Sequence, residues 1–325
     1  MMGPSSVLRL IAVVFIVTLL PAPDQASDTV FSPAGLHAED HAQNEWRKRS
    51  LSLTESKDWY GLIDLCRDWT SRRPQDGLAW AVLGNAHLQL MRYNDAVEAY
   101  RRAVRVNPEN IEAWHNLGAS YSNLGRYHDA IEAYRRSIQM DPTNVKAWGG
   151  LGTSYVRLNR HVEAVEAYQK VLGLDPENVS AWNSLGTSYA HLGLYDYAIQ
   201  TLRQALRIDP KNAVAWYHIG SAYALHRRND QAVDAFRQVL RINPQHVTAW
   251  SSLGVIYARL NRHEEALNAC RRAVQIDPEN AEAWTGLATV HHLSGKRSAA
   301  LEAVQKLRNL DPVKADELLS RIAPH

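Results

Sequence analysis

Residues 144–178, NVKAWGGLGTSYVRLNRHVEAVEAYQKVLGLDPEN, contain two helices together with the signals that start and stop them. Asn144 is a good N-cap, because its side-chain oxygen can accept from the free N–H groups of a first helical turn. Trp148, Leu151, Gly152 and Tyr155 then fall on one face of a helix. Asn159 follows Leu158 where a left-handed residue is wanted to end that helix. A second stripe, Ala164, Val165, Tyr168 and Val171 or Leu172, predicts a second helix, and Asp175-Pro176 stops it, since proline lacks the donor and clashes with the preceding turn. The segment is therefore expected to be a pair of antiparallel helices, with Trp148 buried between them.

The same pattern recurs every 34 residues. Trp80, Trp114, Trp148, Trp182, Trp216, Trp250 and Trp284 keep that interval, as do Pro74, Pro108, Pro142, Pro176, Pro210, Pro244, Pro278 and Pro312. In phase with them run Gly84, Gly118, Gly152, Gly186, Gly220 and Gly254, with Ala288 closing the series. Tyr121, Tyr155, Tyr189, Tyr223 and Tyr257 follow three positions on, with His87 and His291 in the same slot at the ends. Ala96, Ala130, Ala164, Ala198, Ala232, Ala266 and Ala300 complete the set. One such hairpin cannot bury its own apolar face, but stacked copies can.

These columns resemble the tetratricopeptide repeat, whose signature places W, L-G, Y, A, F and P within a 34-residue unit. The resemblance implies an all-α fold, an α-solenoid wound as a right-handed superhelix of stacked helix pairs, with the first helices lining a concave groove and Gly152 facing Ala164 at a close approach of the two backbones. Seven units are expected over 77–314, preceded by a degenerate unit at 43–76 and followed by a capping helix and tail at 315–325. The degenerate unit keeps phase through Trp46, Trp59, Leu62, Cys66 and Pro74 but has Arg49 and Ser50 where Leu-Gly is expected. Residues 23–42 are polar and aperiodic, which predicts a linker.

The N-terminus carries a separate signal. After Arg9, residues 10–20 (LIAVVFIVTLL) form an unbroken apolar run ended by Pro21-Ala22-Pro23. A charged start, an apolar stretch short of a bilayer span and a helix-breaking end predict that residues 1–22 are a signal peptide, or an uncleaved N-terminal anchor with a tether through residues 7–20. Either alternative places the body outside the cytoplasm, in the periplasm or on the membrane.

Composition excludes several classes of function. The formal net charge of +2 and the balance of 36 basic against 34 acidic residues do not match a nucleic-acid binder, which shows a basic excess or stripe. Cys66 and Cys270 occupy the same column of distant units, so no disulfide is expected and both are read as small buried hydrophobes. The histidines show no spacing that would hold a metal. No Gly-rich phosphate loop or nucleophile elbow occurs, so neither an enzyme nor a cofactor is expected. Glu98–Arg102, Glu132–Arg136, Glu166–Lys170 and Glu302–Lys306 are spaced as i,i+4 pairs on a solvated face of the second helices.

The candidate site is the groove that the resemblance assigns to the first helices. The positions there that packing does not use include Asn85, Gln89, Asn116, Asn123, Lys146, Thr153, Arg157, Asn183, Thr187, His191, Tyr217, Ser221 and Arg259. Amide and hydroxyl groups of this kind can hydrogen-bond the backbone of an extended peptide. Asn85, Asn116 and Lys146 also match positions at which some family members clamp a C-terminal carboxylate, whereas Ala81 and Gly150 depart from that motif. The expected function is a scaffold that holds a peptide or helix of a partner protein. The alternative is a non-catalytic accessory subunit of an envelope enzyme or a glycan-assembly complex.

Overall fold

The computed structural model describes residues 33–322, with side chains from residue 43 onward. The expected signal peptide or anchor at 1–22 lies outside the described residues. Among the described residues there are only helices, and none is long and apolar enough to cross a membrane. The chain divides into two compact units, 1–49 and 50–325. The described part of the first is the start of helix α1 (Pro33–Glu55), so residues 33–42, expected to be linker, are helical.

The second unit holds α2 (Trp59–Arg72) and then seven hairpins. They are α3 (Gly77–Gln89) with α4 (Tyr93–Val106), α5 (Ile111–Asn123) with α6 (Tyr127–Met140), and α7 (Val145–Arg157) with α8 (His161–Leu174). Next come α9 (Val179–His191) with α10 (Tyr195–Ile208), and α11 (Ala213–Leu225) with α12 (Asn229–Ile242). The last are α13 (Val247–Arg259) with α14 (His263–Ile276) and α15 (Ala281–Leu293) with α16 (Arg297–Leu310), followed by a single helix α17 (Pro312–Ile322). Each second helix packs on the next first helix, and first helices also touch one another, as α9 does α11 and α13 does α15. Helix α17 packs on α16 and α15. The buried apolar residues form layers that run on from hairpin to hairpin, which is how stacked units bury a core that one hairpin lacks.

The helix ends follow the local sequence. Asn110, Asn144, Asn178, Asn212 and Asn280 each accept at the side-chain oxygen from the backbone N–H three residues on, at 2.8 to 3.1 Å. Every first helix ends on a left-handed residue, one per 34 residues: Met91, Gly125, Asn159, Gly193, Arg227, Asn261 and Gly295, with φ between 55° and 76°. Lys57, one period earlier, has the same conformation between α1 and α2. The residue after each closes a Schellman-type bond, as when the Arg160 N–H donates to the Tyr155 carbonyl at 2.9 Å.

Three packing details differ from the sequence expectations. Trp148 and its six repeat equivalents are half-buried, because each indole lies across the junction with the preceding unit and not inside its own hairpin. A Cβ on Gly152 would meet the ring of Tyr168 at 2.9 Å, so the glycine there makes room for an aromatic ring and not for Ala164. The same holds for Gly84 and Tyr100, Gly118 and Tyr134, and Gly220 and Phe236. Where the facing residue is smaller, at Leu202 and Cys270, the helices close up: the carbonyls of Ala198 and Ala266 come within 3.2 Å and 3.0 Å of the missing Cβ of Gly186 and Gly254.

The third difference concerns charge. Among the described residues none of the four i,i+4 pairs closes; Glu98 and Glu132 instead reach Arg101 and Arg135, three residues on, both at 3.7 Å. Arg102 lies 4.6 Å over the ring of Trp80, an attraction that competes with an exposed ion pair. Other arginines bracket the tyrosine column: Arg160 lies 4.7 Å over the Tyr155 ring while Arg135 donates to its hydroxyl at 2.8 Å. These side chains join successive units and are not merely a solvated ladder.

Candidate peptide groove along the first helices

The first helices present two cavities on the face where they neighbour one another. The first, of about 560 Å³, lies between α9 and α11 and takes in Asn183, Thr187 and His191 from the predicted set. Ser180, Ser184, Ser188, Asn212 and His218 add polar groups, and Tyr168, Val156, Val179 and Val214 supply the apolar walls. Its lining contains no lysine, arginine, aspartate or glutamate. The second, of about 440 Å³, spans α11, α13, α15 and α17 and takes in Tyr217, Ser221 and Arg259. Tyr217 stacks on His246 with ring centres 5.5 Å apart and leans on Phe236, so it stands as a fixed aromatic wall.

The hydroxyl groups here mostly spend their protons on their own helices. Thr187 donates to the Asn183 carbonyl at 2.9 Å, Ser188 to Ser184 at 2.8 Å and Ser221 to Tyr217 at 3.0 Å. What remains facing the cavity is oxygen lone pairs, which suit incoming N–H groups. Asn183 adds another acceptor: its Nδ2 donates to Asn212 at 3.4 Å, while its buried Oδ1 has no partner. An unsatisfied buried acceptor costs about 1–3 kcal/mol, which a bound donor would recover.

Burial pushes His218 below its ordinary pKa of 6.5, with the neighbouring His191 adding to the effect. His161 stacks on His191, with rings nearly parallel and centres 4.4 Å apart, and burial followed by His191 lowers its pKa too. The His218 imidazole is therefore kept neutral at neutral pH and offers the cavity one donor and one acceptor.

The remaining predicted residues are not gathered into these cavities. Asn85 accepts from the Tyr100 hydroxyl at 2.5 Å and from the Asn116 amide at 3.0 Å, so the two asparagines tie adjacent units and have limited capacity left for a ligand. Thr153 donates to the Gly149 carbonyl at 3.0 Å and lies 3.2 Å from the Tyr168 hydroxyl. Gln89, Asn123, Lys146 and Arg157 are exposed outside the cavity linings, and Asn123 donates to Ala119. A carboxylate-clamp arginine at position 150 would have no room, because a Cβ on Gly150 would meet the Tyr134 ring at 2.4 Å.

Sequence reasoning missed Thr248, Thr285, Thr289 and Arg321 in the second cavity. The threonines fall in columns that the repeat register could have supplied. Arg321 belongs to the unpaired helix α17, and no periodic signal points to it. Among the described residues no group of His, Cys, Asp and Glu side chains could hold a metal ion. Both cysteines are free and buried, and burial pushes each thiol up to about 12, which leaves them unreactive.

Comparison with known proteins agrees with the stacked hairpins. One tetratricopeptide repeat model matches residues 81–145, 115–179, 150–213 and 217–281, and another matches 257–322. A tetratricopeptide repeat protein from Parabacteroides merdae is similar in structure at TM-score 0.66 and 17% identity, over 76% of this chain and 99% of that one. The Cut9 and Hcn1 hetero-tetramer of the APC/C is similar at TM-score 0.57 and 18% identity, over 81% of this chain and 52% of that chain. MamA protein is similar at TM-score 0.50 and 26% identity, over 52% of this chain and 92% of that one. No functionally curated protein matches the sequence. The matched models together cover most of the chain, which belongs to the tetratricopeptide repeat family.

Proposed function

We propose that this protein is a non-catalytic scaffold that holds an extended segment of a partner protein along its first helices. The observation that carries the reading is the polar cavity between α9 and α11, free of Asp, Glu, Lys and Arg side chains, where the unpartnered Asn183 Oδ1 sits among hydroxyl lone pairs and the imidazole of His218. A peptide backbone supplies N–H donors at regular intervals and tolerates side-chain variety, so it fits such a lining better than a charged ligand does. Residues 1–22 have the composition of an export signal or anchor, and we place the scaffold outside the cytoplasm, free or tethered to the membrane.

The test compares capture of envelope proteins by the full chain and by variants. Thr187→Glu and Asn183→Arg, both at half-buried positions, should abolish capture in variants whose helicity is first checked to be unchanged. Reversing Arg136 and Lys170 on the second helices should leave capture intact. Capture lost only in the second pair would sink the groove assignment. Export is tested separately: removing residues 1–22 should retain the chain in the cytoplasm, and unchanged export would refute that part of the reading.

A further inference from the structure

We propose that the notch lined from α8, α9 and α10 binds a neutral saccharide, at a site that shares no residue with the two cavities of the peptide groove. The notch, of about 390 Å³, takes in Gln169, Trp182, Tyr189, Tyr197, Gln200 and Thr201. Because the hairpins are copies of one another, each position has equivalents 34 residues away. Gln169 stands where Arg101, Arg135, Arg203, Arg237 and Arg271 occur, and Leu194 where every other hairpin has arginine or lysine. Tyr197 and Gln200 occupy columns that elsewhere are mostly aspartate or glutamate. Thr201 replaces the alanine found in all other hairpins. One notch has thus exchanged charges of both signs for an aromatic ring, amides and a hydroxyl.

Two units on, the same positions form a notch that its own charges occupy. Arg237 donates to the Tyr257 hydroxyl at 3.1 Å, and Arg262, paired with Glu265, lies 4.5 Å over the Tyr257 ring. In the α8–α10 notch Gln169 donates to the Tyr189 hydroxyl at 3.0 Å, and among the described residues no cation covers that ring. It leans instead on Tyr197, with ring centres 5.9 Å apart, and Tyr197 is 61% exposed. Thr201 is only 9% exposed, yet its hydroxyl reaches the surface with no hydrogen-bond partner among the described residues. Alanine satisfies the packing at this position in every other hairpin, so the fold does not require the hydroxyl.

A pyranose ring has a face of C–H groups that can lie on an aromatic ring, and a rim of hydroxyls that both donate and accept. Tyr197 supplies the platform, and Gln169, Gln200 and Thr201 offer matching donors and acceptors. A charged ligand would find no countercharge in the lining. A purely apolar one would leave the Thr201 hydroxyl unpaired. A proline-rich peptide could also lie on the rings, but proline has no N–H to give to the amide oxygens. The volume falls within the ~300–1,000 Å³ of small-molecule sites.

The full chain is titrated with cellohexaose, xylohexaose and N-acetylchitohexaose, and separately with a heparin-derived hexasaccharide and a short polyproline peptide. Binding is read by saturation-transfer NMR and calorimetry. At least one neutral sugar should bind. Tyr197→Glu/Thr201→Ala, which restores residue types carried by other hairpins and is checked for unchanged helicity, should weaken that binding about tenfold. Thr187→Glu in the peptide groove and Glu265→Gln in the equivalent notch should leave it unchanged. Binding of none of the three sugars, or equal binding by the double variant, would overturn the site. Binding confined to the heparin fragment would do the same, and binding of polyproline alone would make the notch a peptide-docking surface instead. Sugar binding lost in Thr187→Glu but kept in the double variant would move the ligand to the groove and overturn the notch. Since the two sites share no residue, failure of the notch leaves the peptide groove standing.

Discussion

The indole N–H of Trp148 donates to the carbonyl of Pro142 at 2.9 Å, across the turn that joins one hairpin to the next. The bond recurs from Trp80 to Pro74, Trp114 to Pro108, Trp182 to Pro176, Trp216 to Pro210, Trp250 to Pro244 and Trp284 to Pro278. Proline stops the second helix, and its carbonyl, left without a helical partner, is satisfied by the tryptophan of the next unit. The two most regular columns in the sequence are thus two halves of one junction.

That junction makes separable predictions for bulk and for the hydrogen bond. Trp148→Phe keeps most of the ring but strands the Pro142 carbonyl, and should cost about 1 kcal/mol in equilibrium urea unfolding. Trp148→Ala should cost more, at or below about 3 kcal/mol, because the ring is only half-buried. Equal stability of Trp148→Phe and wild type would show that the bond contributes nothing.

Met91 and Arg227 occupy left-handed slots that glycine or asparagine fills in most units, at φ 55° and 59°. The left-handed region costs a side-chain-bearing residue about 1–2 kcal/mol. Met91→Gly and Arg227→Gly should each raise the thermal midpoint, whereas Gly125→Ala should lower it. A fall in the midpoint for both glycine variants would contradict this account of the helix ends.

Tyr189 lacks the bracketing arginines that hold Tyr155. Gln169 replaces one, donating to the Tyr189 hydroxyl at 3.0 Å, and Leu194 stands where Arg160 lies in the preceding unit. The notch beside it, of about 390 Å³, is lined by Gln169, Tyr197 and Gln200, whereas the equivalent notch two units on is lined by Arg237, Glu265 and Asn268. Gln169→Arg with Leu194→Arg should rebuild the bracket and raise the melting temperature by about 1–3 °C. No gain from the pair together would mean that the arginines only decorate the junction.

His87, His115, His161, His218 and His291 are all held below 6.5, with burial as the first cause in each. Above 6.5 they are neutral in both the folded and the unfolded chain and make no pH-dependent contribution. As pH falls below 6.5 the unfolded chain takes up protons first, so stability declines until the folded histidines also protonate. Urea midpoints should therefore drop on going from pH 7.5 to pH 5, and His218→Gln should flatten part of that slope. A midpoint that rises toward pH 5 in wild type would reverse the sign of the argument.

From Gly77 onward the sequence by itself determined the helices, their ends and their order of stacking, whereas the start of α1 at Pro33 lay in a stretch without the repeat pattern. Each of these depends on residues close along the chain: Asn144 caps the helix it precedes, Asn159 ends it, and Pro176 stops its partner. The 34-residue period then copies those local solutions, and burial of an amphipathic face requires the copies to stack. The tertiary structure alone decided which groove residues are free to bind. Asn85 and Asn116 look as available in sequence as Asn183, yet the first two bond each other across a unit boundary while Asn183 keeps an unpartnered oxygen. Arg321, from the unpaired helix α17, lines the second cavity only because that helix packs on α15 and α16. A hydrogen-bonding group has a small, fixed capacity, and whether a neighbour from another unit uses it depends on cross-unit distances that no local pattern encodes.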